Sequence, residues 1–552
     1  MRRFRMSRFG FNVLIVIPAR GGSKGIPRKN LRALNGKPLI SYSIATALLS
    51  KYKPDVYVSS EDDEILSFSK QLGAKVHVRD FEIATDSTTL DPVVFDAYQA
   101  AKQREGKEYH VIVTLQPTSP LLRVESLDSA IKKMIEDRDV DTMISATNDT
   151  HLTWRLENEK YIPNYKQRVN RQYLPPMYKE TGGFLLTRPS VIQENSRVGR
   201  RVALFLLSGG EEIDIDSYED WSLCSYFLKR KKILFVVSGN LEIGLGHVYN
   251  TLLVANDILD HQIQFLVDRK SLLAFEKIRE QNYPVILQEE QDIVEEICRI
   301  APNVVINDML DTTLEYITAL KKTGMKVINF EDLGEGAKIA DLVVNAIYPE
   351  DRCLPNHYYG HEFFMLRDEF VFLPEIAISP SVSQVLITFG GVDPENMACK
   401  VLDSIYAFCK NRSVHICVVL GLGYQHHEML GKYPDAEIHS NIKNMASFMA
   451  KADVAFTSAG RTIYEVASVG IPTIVLAQNK REMTHFFASS EYGFLNLGLG
   501  GNVSNEQILE VFARLVDSWE TRKTMNQAMR GIDLKSGRRR VNQLIRKIVE
   551  EA

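Results

Sequence analysis

Val13-Leu14-Ile15-Val16-Ile17-Pro18-Ala19-Arg20-Gly21-Gly22-Ser23-Lys24-Gly25-Ile26-Pro27-Arg28-Lys29-Asn30 is the stretch that decides the fold. Its first five residues are apolar and mostly β-branched, and they run straight into a glycine-rich turn. A short continuous apolar run closed by such a turn reads as a strand buried on both faces. Similar runs follow at 56–59 and 110–115, with a helical stretch at 39–50 between the first two. Strands alternating with helices predict α/β architecture around a mostly parallel sheet.

Further along, the pattern starts again. Lys229-Arg230-Lys231-Lys232 reads as a solvated linker, and a new strand at 233–237 leads into a second glycine-rich turn. Strands are expected at 264–267, 304–306 and 327–330. After residues 374–383 a third series opens, at 385–389, 414–420, 454–457 and 473–476. The predicted domains are 1–230, 231–375 and 376–552. The chain has 552 residues, and at about 150 residues per domain its length suggests three to four units, in keeping with that count.

Composition narrows the function classes. Hydrophobic residues make up 45% and charged residues 25%, the balance of an ordinary globular protein. Lys and Arg number 66 against 70 Asp and Glu, a net charge of −4, so no global basic field would recruit nucleic acid or an anionic membrane. Six cysteines are scattered without a C-x-x-C pair, which argues against a zinc site or disulfide framework and points to a reducing cytoplasm. No apolar run approaches the ~18–20 residues needed to span a bilayer. The start, Arg2-Arg3-Phe4-Arg5, reads as a basic tail ahead of the first strand rather than a signal peptide.

The 18–30 loop lacks the G-x-x-x-x-G-K-[ST] pattern of a P-loop. Its glycines Gly21 and Gly22, with Ser23, allow backbone N–H groups to close on a triphosphate, while Arg20, Lys24 and Lys29 supply charge. Asp214 and Asp216 stand two apart, so in a strand both carboxylates face the same side and suit Mg²⁺, a metal that takes its remaining ligands from water and phosphate. Gln116 lies at the C-terminal end of a strand, where open α/β sheets place ligand groups. Arg168 and Arg171 carry guanidinium forks that match a carboxylate bidentately.

These motifs resemble the cytidylyltransferases that activate nine-carbon acidic sugars, the CMP-sialic, CMP-legionaminic and CMP-pseudaminic acid synthetases. The resemblance spans nearly all of 11–230 and includes Asn35-Gly36-Lys37-Pro38-Leu39-Ile40, Ala84-Thr85-Asp86-Ser87, Leu115-Gln116-Pro117-Thr118-Ser119-Pro120 and Glu212-Ile213-Asp214-Ile215-Asp216. It implies that Arg20 and Lys24 touch CTP as catalytic groups, that Asn30 and Ser87 touch the nucleotide, that Asp214 and Asp216 hold the metal and act in catalysis, and that the segment with Arg168, Arg171 and Tyr178 holds the sugar acid. It also implies a homodimer through the N-terminal domain. His151-Leu152-Thr153-Trp154 departs from the His-x-Pro pattern of the sialic acid enzymes, so the sugar stays open, with a Kdo-like acid as the alternative.

In the second half, Ser238-Gly239-Asn240-Leu241-Glu242-Ile243-Gly244-Leu245-Gly246-His247 joins a strand to a helix. His247 falls in that helix's first turn, whose positive end favours the neutral ring, able to act as a base. Thr388-Phe389-Gly390-Gly391-Val392-Asp393-Pro394 and Thr457-Ser458-Ala459-Gly460-Arg461-Thr462-Ile463-Tyr464-Glu465 offer N–H groups to a diphosphate, with Glu465 placed to accept ribose hydroxyls. Together with Glu331-Asp332-Leu333 and Ala340-Asp341-Leu342-Val343-Val344-Asn345 they resemble the UDP-sugar hydrolases of pseudaminic acid biosynthesis over about 233–500. That resemblance implies a two-lobed GT-B-like fold, a UDP-sugar ligand and His247 as the catalytic group. Asn250 stands where that family has arginine, and the family's aspartate–aromatic pattern is degraded around Asn307-Asp308-Met309-Leu310. A glycosyltransferase-like half and a noncatalytic nucleotide-sugar-binding module remain the alternatives.

Overall fold

The computed structural model describes residues 10–22, 25–85, 87–240, 244–349, 354–374, 376–440 and 442–552. The chain forms two compact units, Met1–Arg230 and Lys231–Ala552. The basic tail, Ser23, Lys24, Asp86, residues 241–243 and Cys353 lie outside the described residues.

In the first unit the strand Val13–Pro18 is interior to a seven-stranded sheet. The order is Val202–Leu206, Thr142–Asn148, Tyr178–Thr187, Val111–Leu115, Val13–Pro18, Asp55–Ser60 and Lys75–Val78. Its side chains alternate between two cores: Val13, Ile15 and Ile17 in one, Leu14 and Val16 in the other. Hence the uninterrupted apolar run, each side chain contributing roughly 1.5–3 kcal/mol by burial. Tyr178–Thr187 runs antiparallel to both neighbours, and its register shifts between Glu180 and Leu185. The remaining pairings are parallel.

The second unit holds two all-parallel sheets in a two-lobed, GT-B-like arrangement. The first is ordered Val285–Leu287, Gln262–Val267, Lys232–Val237, Val304–Asp308, Lys326–Phe330, Leu342–Asn345, His357–Tyr359. The second is Ala436–Ser440, His415–Leu420, Gln384–Ile387, Val454–Thr457, Thr473–Ala477, Phe494–Leu499. In each of the three sheets the chain reverses its direction of travel beside the first strand, and the resulting crevice is where open α/β sheets bind ligands.

The two lobes are not the contiguous segments expected from sequence. The last helix, Gly537–Glu551, returns to the N-lobe, where Val541, Ile545, Ile548 and Val549 join the core of Ile233, Phe235 and Val237. Those four residues form one apolar stripe at helical spacing, and all of it is buried in the N-lobe core. Conversely Phe364, Leu366 and Phe370 pack into the C-lobe core, with the Phe364 ring stacked on Tyr464 at 4.0 Å. Nor is the basic quartet a loose linker. Lys229 ends the helix Tyr218–Lys229 and Lys232 opens a strand, its Nζ donating to the Ile300 carbonyl at 2.5 Å. The five described cysteines are unpaired, and among the described residues no helix is long and apolar enough to cross a membrane.

Candidate functional site

In the first unit the glycine loop leaves Val13–Pro18 at the crevice and is tied down on both sides. The Gly21 amide donates to Glu61 Oε1 at 2.7 Å, and Arg79, only 5% exposed, holds the other carboxylate oxygen of Glu61 at 2.7 Å. A Cβ on Gly21 would come 2.5 Å from Asp62 Oδ2, so the loop needs glycine there; Gly22 faces open space. Asn30, assigned to nucleotide, is buried, and its amide donates to the Arg20 carbonyl at 2.9 Å. It shapes the loop from inside, while Arg20 beside it is half-buried. Lys24 and Ser23, assigned to catalysis and nucleotide, lie outside the described residues.

The loop's far end meets the paired carboxylates. Lys29 Nζ donates to the Ile215 carbonyl at 2.6 Å and lies 3.3 Å from Asp216 Oδ1; a Cβ on Gly25 would meet the Asp216 carbonyl at 2.7 Å. Asp214 and Asp216 are not in a strand, as the sequence reading had them. They lie on an extended segment before the helix Tyr218–Lys229, held where the Ile215 amide donates to the Thr118 carbonyl at 2.9 Å. Ile215 is fully buried, so the two carboxylates still share the opposite side. Asp216 is exposed. Asp214 is mostly enclosed: burial raises its carboxyl above the ordinary range, and Asp216 adds to the rise. Its Oδ1 is buried without a hydrogen-bond partner, and Gly182 leaves no room for a Cβ beside Oδ2. A shielded, unpartnered carboxylate oxygen beside a second carboxylate fits a hard divalent cation that completes its shell from phosphate and water. Among the described residues no group of three or more acidic, His or Cys side chains gathers for a metal.

Gln116 follows Val111–Leu115, and its carbonyl accepts from the Ser43 hydroxyl at 3.0 Å. Ser87 is exposed near the start of Leu90–Glu105, its hydroxyl 3.1 Å from that of Thr85. Arg168, Arg171 and Tyr178 are exposed; Tyr178 opens the antiparallel strand that passes Asp214 at Gly182. Glu61 escaped the sequence reading and Thr118 entered it only as part of a quoted motif, although both follow strand ends at the crevice, which is the available signal.

The second unit's cleft encloses about 350 Å³ between the lobes, lined by His247, Glu331, Gly390, Gly391, Ser458, Gly460, Arg461 and Glu465 among others. His247 is the second residue of the helix Gly246–Asp257, and its Nδ1 donates to Asp308 Oδ1 at 2.5 Å. The sequence reading placed only a helix end beside the ring; the structure adds a fully buried carboxylate from the neighbouring strand end. Asn250 Nδ2 donates to Asp308 Oδ2 at 2.6 Å and its Oδ1 accepts from Arg461 at 2.7 Å. Gly390 and Gly391 abut Gly421, where a Cβ would strike the Gly391 carbonyl at 2.2 Å. Glu465 is not a free carboxylate: its Oε1 accepts from Arg367 Nε at 2.9 Å. Ser458 and Ala459 are largely buried beside Glu482, whose carboxyl is raised by burial and held down by the Gln478 amide, the Ser458 hydroxyl and the Ala459 amide.

Glu331 is 2% exposed, holds a left-handed φ of 52°, and meets Arg461 Nη1 and the Ile347 amide only at 3.4 Å each. Burial pushes its carboxyl up to about 7, against the pull of Arg461. A folded value above the unfolded one destabilises the folded state only once the group ionises. Its stability contribution is therefore intact below about pH 4.5 and lost as pH rises through 7. Glu331→Gln is thus expected to be near neutral at pH 4 and more stable than the parent at pH 8.5, by about 3 kcal/mol for a rise from 4.5 to about 7. Urea unfolding at the two pH values checks it, and equal midpoint shifts at both would contradict it.

The first unit, with its glycine loop after the first strand and a carboxylate pair across the crevice, is of the nucleotidyltransferase class. The chain belongs to the cytidylyltransferase family, whose profile matches residues 14–181. It is 34% identical over 233 residues to a pseudaminic acid cytidylyltransferase of Campylobacter jejuni, 41% of this chain and 97% of that protein. An uncharacterized protein of Methanocaldococcus jannaschii is 31% identical over 324 residues, 51% of this chain and 66% of its own length. The spore coat polysaccharide biosynthesis protein SpsG of Bacillus subtilis is 24% identical over 331 residues, 57% of this chain and 97% of that protein. A match of 331 residues is longer than the first unit and must extend into the second.

Proposed function

We propose that the first unit transfers CMP from CTP to a nine-carbon acidic sugar with release of pyrophosphate. The observation that carries this reading is the approach of the glycine loop, through Gly25 and Lys29, to the Asp214–Asp216 segment at the crevice. The anomeric hydroxyl oxygen of the sugar forms the new bond to the α-phosphorus as the bond to pyrophosphate breaks, its proton passing to solvent, with loop N–H groups and Arg20 on the phosphates. Asp214 and Asp216 would hold Mg²⁺, which supplies charge compensation at the α-phosphate. The name of the Campylobacter relative agrees with a sugar-acid substrate, and that of the family with cytidylyl transfer. Pyrophosphate release from CTP, measured across pseudaminic, legionaminic, sialic and Kdo acids, is expected to be fastest with one of the three nonulosonates. Turnover of Kdo alone selects the alternative acid, and turnover of none overturns the reading.

For the second unit the reading is a UDP-sugar hydrolase, supported by the pairing of His247 with Asp308 inside the interlobe cleft. Because Nδ1 donates to the carboxylate, Nε2 is the nitrogen left to accept a proton from water. The water oxygen then bonds the anomeric carbon, and UDP leaves with the electron pair of the broken C–O bond. Incubation with a UDP-linked 2,4-diacetamido-trideoxyhexose and no acceptor is expected to release UDP. Release only when an acceptor is added would instead indicate a transferase.

A further inference from the structure

We propose that Arg461 is a positioning residue for His247, acting from the C-lobe through Asn250 and Asp308 to fix the tautomer and orientation of the imidazole. The proposal rests on the reading of His247 as the proton acceptor.

Arg461 caps the helix Thr462–Val469 and directly follows Gly460 of the loop assigned to the diphosphate. Its side chain crosses into the N-lobe, over Gly246, where a Cβ would lie 3.2 Å from Arg461 Cδ. Three hydrogen bonds then run in sequence: Arg461 Nη2 to Asn250 Oδ1 at 2.7 Å, Asn250 Nδ2 to Asp308 Oδ2 at 2.6 Å, and His247 Nδ1 to Asp308 Oδ1 at 2.5 Å. Their polarity admits one arrangement. A guanidinium only donates and a carboxylate only accepts, so the amide between them must turn its oxygen to Arg461 and its NH₂ to Asp308. Asp308 is thereby held with Oδ1 toward the ring, which must carry its proton on Nδ1.

Asp308 is fully buried and Asn250 is 2% exposed, so water cannot stand in for a lost member of this series. In such surroundings each bond is strong and each vacancy costly. Glu331 flanks the guanidinium on its other side, 3.4 Å from Nη1, and the ring of Phe364 lies 4.7 Å below it. The same residue thus borders the proposed diphosphate loop in one lobe and sets the histidine in the other, so the base is assembled only with the lobes together.

The test uses the full chain. Arg461→Ala and Asn250→Leu are each expected to lower kcat for UDP release from the UDP-linked 2,4-diacetamido-trideoxyhexose by about 10- to 100-fold, the usual effect of removing a partner that orients a catalytic ligand. KM should stay within about threefold. The double variant should lose little more than either single one, because both break the same series. Additive losses, or a raised KM with unchanged kcat, would overturn the proposal. Nitrogen-15 NMR of histidine-labelled protein gives a readout independent of turnover: the His247 Nδ1–H tautomer, assigned with His247→Gln, should dominate in the parent and be lost in Arg461→Ala. Retention of that tautomer overturns the proposal, whereas a parent that shows the tautomer but releases no UDP overturns the hydrolase reading alone. A cooperative unfolding transition of the second unit, followed by circular dichroism and retained in each variant, reports that this unit has folded.

Discussion

Asp214→Asn is expected to reduce CMP transfer by at least about 100-fold, the scale on which removing one preorganised charge from a reaction centre acts. The substitution keeps the shape of the side chain, which matters because Gly182 and the Thr118 segment enclose it. What it removes is the negative charge on a group whose Oδ1 is buried without a partner. Burial already raises this carboxyl, so by linkage the ionised form costs folded stability once the pH exceeds the ordinary carboxylate range, and the amide variant should fold at least as well at neutral pH. Lost activity in a stable protein then reports the charge itself. Asp216→Ala should likewise lose CMP transfer, with a greater response to added Mg²⁺ because Asp216 is exposed and solvent can replace it more readily. Pyrophosphate release from CTP and a nonulosonate reads both variants, and a fully active Asp214→Asn or Asp216→Ala would refute the metal assignment.

The second large effect is expected from His247→Ala, which should lower UDP release by roughly 10²- to 10⁴-fold, the typical contribution of a positioned general base. CMP transfer should be unchanged, since His247 belongs to the second unit. The variant removes the ring paired with Asp308 and, among the described residues, leaves that buried carboxylate bonded to the Asn250 amide. Some loss of thermal stability is therefore expected, and His247→Gln, which can still donate, separates it from the chemical loss. If the second unit only senses a nucleotide sugar, neither variant changes any turnover.

Much of the architecture could be read from local pattern. The run 13–17 is apolar without interruption because its residues alternate between two cores, and the same holds for 233–237. Glycines at 21, 25 and 182 border the carboxylates and the loop because each meets an atom at 2.5–2.7 Å that a side chain would displace. Other features were invisible because they depend on partners far away in sequence. An amphipathic stripe at 541–549 announces a helix but not which lobe it covers. Asn30 and Glu465 each make a bond that their local sequence does not announce, to the Arg20 carbonyl and from Arg367.

The division between the two levels follows the range of the forces involved. Periodicity and steric demands of the backbone act over a few residues, so the sequence alone established three α/β sheets, the glycine loops at their crevices, and a boundary between halves near residue 230. Hydrogen bonding and desolvation act between whatever the fold brings together. Only the tertiary structure could show that Asp214 and Asp216 converge from an extended segment rather than a strand. It alone places Glu61 beneath Gly21, 40 residues away, and joins Arg461 to Asn250 across 211 residues to reach the carboxylate that holds His247.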